Sequence, residues 1–222
     1  MEKSTLQFLK NLNKNNNKPW FDAHRSAYEA AKADFAAFIQ IVIDKQAKKD
    51  NTISHLKAKD CMFRINRDVR FSKDKSPYKT NFGASINKGG KKAMSSAGYY
   101  FHLEPGNSFV GGGLYQPMPD ELRKMRQEID YNFADFKKVI GSAKFKSIYK
   151  DLDKSKELSL SRVPKGYEPD NTAAEYLKLK SYITMIPVSD AELTSPDLVK
   201  KTIDAFGALL PLIQFINNTL AD

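Results

Sequence analysis

Apolar positions along this chain change period several times, and each change predicts an element. Leu6, Leu9 and Leu12 recur at helical spacing, so a short helix is expected from Ser4 to about Asn13, with Ser4 and Gln7 as a capping box. Asn15-Asn16-Asn17 ends it, and Pro19 suits the first turn of a second helix. Trp20, Ala27, Tyr28, Ala31, Phe35, Phe38, Ile39 and Val42 form its single apolar stripe, with one break expected near Asp22 to Ser26.

From Cys61 the period falls to two. Phe63, Ile65, Val69 and Phe71 alternate with Arg64, Asn66, Asp68 and Arg70, which predicts a half-buried strand. Phe82, Ala84 and Ile86 predict a second strand ending at Gly89-Gly90, and Tyr99, Phe101 and Leu103 a third. Pro105-Gly106-Asn107 reads as a turn before a fourth strand from Ser108 to Tyr115. Helices are expected after Pro119, through Phe133 to Ile140, from Thr172 to Leu179, and from Ser195 to about Leu220, the last kinked at Pro211. Asp151 to Pro169 reads as irregular, and Tyr182 to Ile186 as a strand. The class is α+β: a mostly antiparallel sheet, a meander of about four strands plus one, packed with flanking helices. No linker or repeat divides the chain, so 1–222 is read as one domain.

Composition narrows the setting. Cys61 is the only cysteine, so no internal disulfide can form, which fits a reducing compartment. Met1 to Leu6 shows no apolar run of signal-peptide length, and no stretch reaches the roughly 18 apolar residues of a membrane span. A cytoplasmic protein without a membrane partner is expected. The net charge is +10, and most of it is local. Lys57 to Lys92 holds 11 basic and 3 acidic residues. A concentrated positive field attracts phosphates, nucleic acids or acidic partners. A lysine-rich solubilising surface is the plainer alternative.

Within that segment Arg64, Arg67 and Arg70 lie on the expected strand, and Lys73, Lys75, Tyr78 and Lys79 on the loop after it. Arginine offers a planar fork of donors to carboxylate and phosphate oxygens. Asp68 can fix Arg64 or Arg70 in one rotamer. Arg67 falls on the core face of the expected strand. It is either paired there with Glu29, Asp34 or Glu104, or it binds a ligand in a cleft floor. Asp68, His102 and Glu104 are the acid–base candidates. The three histidines show no metal-ligand spacing, so neither a metal nor a cofactor is expected. Gly111-Gly112-Gly113 is either a ligand-approach point or a bulged strand packed tightly on its neighbour, with the second preferred. Three functions remain open. The first is a binder of a phosphate-containing or carboxylate ligand, with nucleic acid among the candidates. The second is an enzyme acting on a small phosphorylated or carboxylated substrate. The third is a structural or partner-docking protein.

Certain blocks resemble a known family. These are Asn16-Asn17-Lys18-Pro19-Trp20-Phe21, the run from Asp60 to Thr80, Gly98 to Gly106, Gly111 to Tyr115, and Arg162-Val163-Pro164-Lys165-Gly166-Tyr167. The chain is similar over nearly its full length to domain-of-unknown-function family 2461, a family of conserved hypothetical proteins. Asn81, where the family pattern has histidine, and Asn87-Lys88 depart from it. The resemblance implies one domain and a bacterial-type cytosolic protein. It implies no activity, cofactor or site residue.

Overall fold

The computed structural model describes residues 1–92 and 96–221, and the side chain of Lys92, at the end of the basic segment, lies outside the described atoms. Three helices open the chain: α1 (Lys3–Lys14), α2 (Lys18–Ala23) and α3 (Arg25–Gln46). Asn17 caps α2 by accepting from the Trp20 N–H at 3.0 Å, and the break before α3 falls at His24. The expected Ser4 capping box is absent, because α1 begins at Lys3 and Glu2 makes no side-chain cap. Asp34 of α3 supplies the acceptor instead, taking the Glu2 N–H at 2.9 Å and the Thr5 hydroxyl at 2.6 Å. A tertiary carboxylate thus replaces a local cap.

A short helix, α4 (Ala58–Cys61), precedes the sheet. The sheet has strands β1 (Phe82–Ile86), β2 (Gly98–Leu103), β3 (Ser108–Leu114) and β4 (Tyr182–Val188), antiparallel in the order β1-β2-β3-β4. Between β3 and β4 come α5 (Pro119–Tyr131), α6 (Phe133–Ile140), α7 (Ala143–Tyr149) and α8 (Ala174–Leu177). After β4 come α9 (Asp190–Leu193) and α10 (Leu198–Ala221), which contains Pro211. With ten α-helices and one antiparallel sheet among the described residues, the fold is α+β. No helix among them is long and apolar enough to cross a membrane.

One sheet face is the floor of the core. The cross-strand row Ala84, Phe101, Val110 and Ile186 lies on it. Phe38 of α3 meets Phe101 edge-on at 4.8 Å between ring centroids, and Phe206 of α10 meets Tyr99 at 4.6 Å. The opposite face presents the rows Ser85–Tyr100–Gly111–Met185 and Gly83–His102–Phe109–Pro187, which are partly open to solvent. The glycine triplet serves packing. A Cβ on Gly113, whose φ is +122°, would stand 2.0 Å from the Tyr182 carbonyl oxygen, and one on Gly111 would stand 2.2 Å from that of Thr184.

The strand expected from Cys61 to Phe71 is not formed. Met62 bridges Ala84, and the Phe63 N–H donates to the Gly83 carbonyl at 2.9 Å. The chain then leaves β1 and pairs with itself. Asn66 bridges Tyr78, the Arg67 N–H donates to the Pro77 carbonyl at 2.9 Å, and the Lys79 N–H donates to that of Ile65 at 2.7 Å. Residues 62–80 are therefore an arm folded back on its own return limb. Beyond Arg67 the ladder fails, because Asp68 and Asp74 accept from the N–H groups of Arg70 (3.3 Å) and Ser76 (2.9 Å), two residues on. Such local side-chain bonds compete with strand pairing.

Candidate functional site

The root of the arm is fastened by the first family-like block. Asn16 accepts from the Tyr78 N–H at 3.1 Å and donates to the Tyr78 carbonyl at 2.9 Å. The Tyr78 ring is buried flat against Phe21, 3.9 Å between centroids and 14° from parallel. Tyr78 is thus a fastening, with its ring turned away from any surface ligand.

The six cations of the arm divide into two groups. Arg67 lies across the arm and pairs with Asp74, not with Glu29, Asp34 or Glu104. Arg70 grips Asp68 with two bonds, Nε to Oδ1 at 3.0 Å and a terminal nitrogen to Oδ2 at 2.7 Å. The Lys75 ammonium donates to the Val69 carbonyl at 2.9 Å. These three brace the arm, and they do not converge on one point. The Ser76 hydroxyl, then the Arg67 guanidinium and the Ser76 N–H, hold the Asp74 carboxyl far below its usual range.

Arg64, Lys73 and Lys79 make no ion pair or side-chain hydrogen bond among the described residues. Lys73 is exposed near the arm's apex. Lys79 is half-buried, and its ammonium lies 5.5 Å from the centroid of the Phe63 ring. Burial, and then the positive charge of Arg64, push the Lys79 ammonium below its ordinary pKa. Two like charges therefore interact in one region with no carboxylate at ion-pair distance from either, the Asp68 carboxylate acting on Arg64 only from further off.

That region borders the open sheet face. Phe63 leans on Tyr100, 6.4 Å between centroids. The Tyr100 hydroxyl sits over Gly83, where a Cβ would come within 2.6 Å of it. Tyr100, His102 and Glu104 form a rank: 3.4 Å from the Tyr100 hydroxyl to His102 Nδ1, and 3.2 Å from His102 Nε2 to Glu104 Oε2. His102 also stacks on Phe109 at 4.6 Å and 9°. Burial tends to raise the Glu104 pKa, but hydrogen bonds from Asn107, His102 and Thr80 outweigh it and hold the carboxyl below its usual range. Burial, with Tyr115 nearby, pushes the Tyr100 phenol up. The sequence offers Phe63 and Tyr100 among the aromatics interleaved with the cations of this segment, and the fold sets the two side by side.

Two open depressions, of about 460 and 420 Å³, lie along α10 and share none of these residues. Cys61 is buried, and burial lifts its thiol to about 11. Among the described residues no group of three or more His, Cys, Asp or Glu side chains is placed to hold a metal ion.

Fold and site together define an α+β protein in which helices back one face of a four-stranded antiparallel sheet and a basic, aromatic arm flanks the other. A family model described as Conserved hypothetical protein (DUF2461) matches residues 4–215, and the chain belongs to that family. No curated protein and no solved structure gives a significant match.

Proposed function

We propose that this chain binds an anionic ligand, a phosphate-containing or carboxylate group held by Arg64 and Lys79 at the root of the arm. The observation that supports this most is the unpaired pair of cations, one of them half-buried against Phe63. Placing a partly desolvated ammonium beside a guanidinium costs free energy, and an anion between them removes that cost. Arg67 and Arg70, whose charges are matched by Asp74 and Asp68, act indirectly by holding the arm in shape. Titration with pyrophosphate at low salt, followed by calorimetry, tests the reading. Charge-assisted hydrogen bonds of about 1.5–3 kcal/mol predict that Arg64→Ala and Lys79→Ala each weaken binding by about 10- to 100-fold. Arg70→Ala, whose charge is already matched by Asp68, should change it little. Absence of binding, or equal loss in all three variants, removes the proposal.

A second reading, an enzyme acting on a small phosphorylated or carboxylated substrate, draws on the Tyr100–His102–Glu104 rank. Glu104 accepting from Nε2–H leaves the Nδ1 lone pair to accept a hydrogen bond from the Tyr100 hydroxyl. A phenol pushed up by burial stays protonated and serves as a proton donor. Turnover of p-nitrophenyl phosphate that disappears in His102→Gln supports it, and no turnover in the parent protein counts against it.

A further inference from the structure

The apex of the arm carries a feature that the phosphate site does not use. Phe71 is 95% exposed, the most exposed large apolar side chain among the described residues. It is not on a loose tail. Arg67–Asp74 and Arg70–Asp68 pairs, the Lys75–Val69 bond, and the Ser76 N–H and hydroxyl on Asp74 cross-link the apex from 67 to 76. A loop braced this way holds a ring out in water where a slack one would fold it under. The Arg70 guanidinium carbon lies 5.7 Å from the Phe71 ring centroid.

The same bracing sets the charge. Both carboxylates of the apex are matched to Arg67 and Arg70. Arg64, Lys73, Lys75 and Lys79 keep their charges without a carboxylate partner among the described residues. At the root a second ring, Phe63, is 38% exposed with the Lys79 ammonium 5.5 Å from its centroid. Two exposed rings stand at opposite ends of one arm, each beside a cation, with further lysines between them. A ligand that alternates anionic and flat aromatic units matches this sequence of groups. Single-stranded nucleic acid does so: phosphates meet the cations and unpaired bases stack on the rings. A duplex hides its base faces, and an anionic bilayer favours apolar side chains gathered at one depth, not one at the tip and one beside the sheet.

We propose that residues 62–80 form a binding arm for single-stranded nucleic acid, with Phe71 and Phe63 as base platforms and Arg64, Lys73, Lys75 and Lys79 as phosphate contacts. This rests on the anion-site reading of Arg64 and Lys79 and names its ligand.

The test is fluorescence anisotropy with a labelled oligothymidine of about 12 nucleotides, titrated across a salt series on the full chain. Four phosphate contacts predict a log–log salt slope of about −3. Phe71→Ala, an exposed substitution that leaves the melting curve unchanged, is expected to weaken binding by about 5- to 150-fold with that slope retained. Arg64→Ala is expected to make the slope shallower by about 0.7. A matched duplex, and vesicles containing phosphatidylserine, should bind at least about tenfold more weakly. Equal affinity for the duplex, stronger binding to the vesicles, or no effect of Phe71→Ala overturns the inference. A parallel pyrophosphate titration separates the two failures. If pyrophosphate binds through Arg64 and Lys79 while the oligomer fails, only the nucleic-acid ligand falls. If pyrophosphate fails as well, both readings fall.

Discussion

Asn16 and Tyr78 are 62 positions apart, yet the one side-chain amide of Asn16 satisfies both backbone groups of Tyr78, at 3.1 and 2.9 Å. The amide does there what a neighbouring strand would do: it offers an acceptor to the N–H and a donor to the carbonyl. The N-terminal helices and the basic arm are thereby one assembly.

Replacing Asn16 by alanine leaves two partly buried backbone groups without partners. A loss of about 1–3 kcal/mol is expected. For a chain of this size each kcal/mol lowers the melting temperature by about 2–4 °C. Differential scanning calorimetry reads this directly. Pyrophosphate affinity should fall in the same variant although Asn16 is not an anion contact. An unchanged melting temperature would show that the clasp is dispensable.

Lys79 makes a prediction of opposite sign. Its folded pKa lies below the ordinary value of 10.5 because of burial and Arg64. Between those two values the unfolded chain binds more protons than the folded one, so stability rises as pH increases through that window. At neutral pH the charged ammonium is therefore a burden on the fold. Lys79→Met should raise the melting temperature by a few degrees while weakening pyrophosphate binding by about 10- to 100-fold. Added pyrophosphate should therefore stabilise the parent more than the variant at the same concentration. A variant that melts lower than the parent contradicts this account of Lys79.

Gly113→Ala places a methyl group 2.0 Å from the Tyr182 carbonyl oxygen at a φ of +122°. Both the clash and the backbone conformation oppose it, so β3 and β4 must separate. Insoluble expression, or a loss above about 3 kcal/mol in urea unfolding, is the expected result. Normal stability would mean the two strands are not held at this distance.

Glu192 gives the fold a part of its acid sensitivity. Bonds from Lys201, and then from the N–H and hydroxyl of Ser189, bring its carboxyl down to about 2 from 4.5. A carboxyl lowered on folding stabilises above its unfolded pKa and loses that contribution as pH falls from 4.5 toward 2. The melting-temperature gap between the parent and Glu192→Gln should be present at neutral pH and close across that window. The exposure of the pair keeps the gap small. A gap independent of pH would assign the effect to packing.

Legibility followed the range of the forces involved. The stripe from Trp20 to Val42 and the alternation of Tyr99, Phe101 and Leu103 were readable because each faces one large apolar surface, and periodicity reports that directly. The break at His24 and the turn at Gly106 were readable from local chemistry. The segment from Phe63 to Phe71 alternates just as well, but a strand also needs a partner along its whole length. Asp68 and Asp74 spend their oxygens on nearby N–H groups, and neither this nor the self-pairing of Asn66 with Tyr78 shows in a binary pattern. The site shared this fate. The richness in cations was visible, whereas the pairing that leaves Arg64 and Lys79 over depends on where Asp68 and Asp74 end up. Phe63 and Tyr100 became neighbours only through the fold.

The arm also closes an exposed rim. Met62 and Phe63 occupy backbone groups on the free side of β1, and the Asp153 N–H, 2.8 Å from the Ile183 carbonyl, does the same beside β4. A sheet rim left bare is a template for another chain, and natural sheets guard against it. The segment carrying the cations is thus also a guard against strand-to-strand self-association. Loosening the root of the arm from β1 would bare that rim and is expected to make the protein cluster at high concentration.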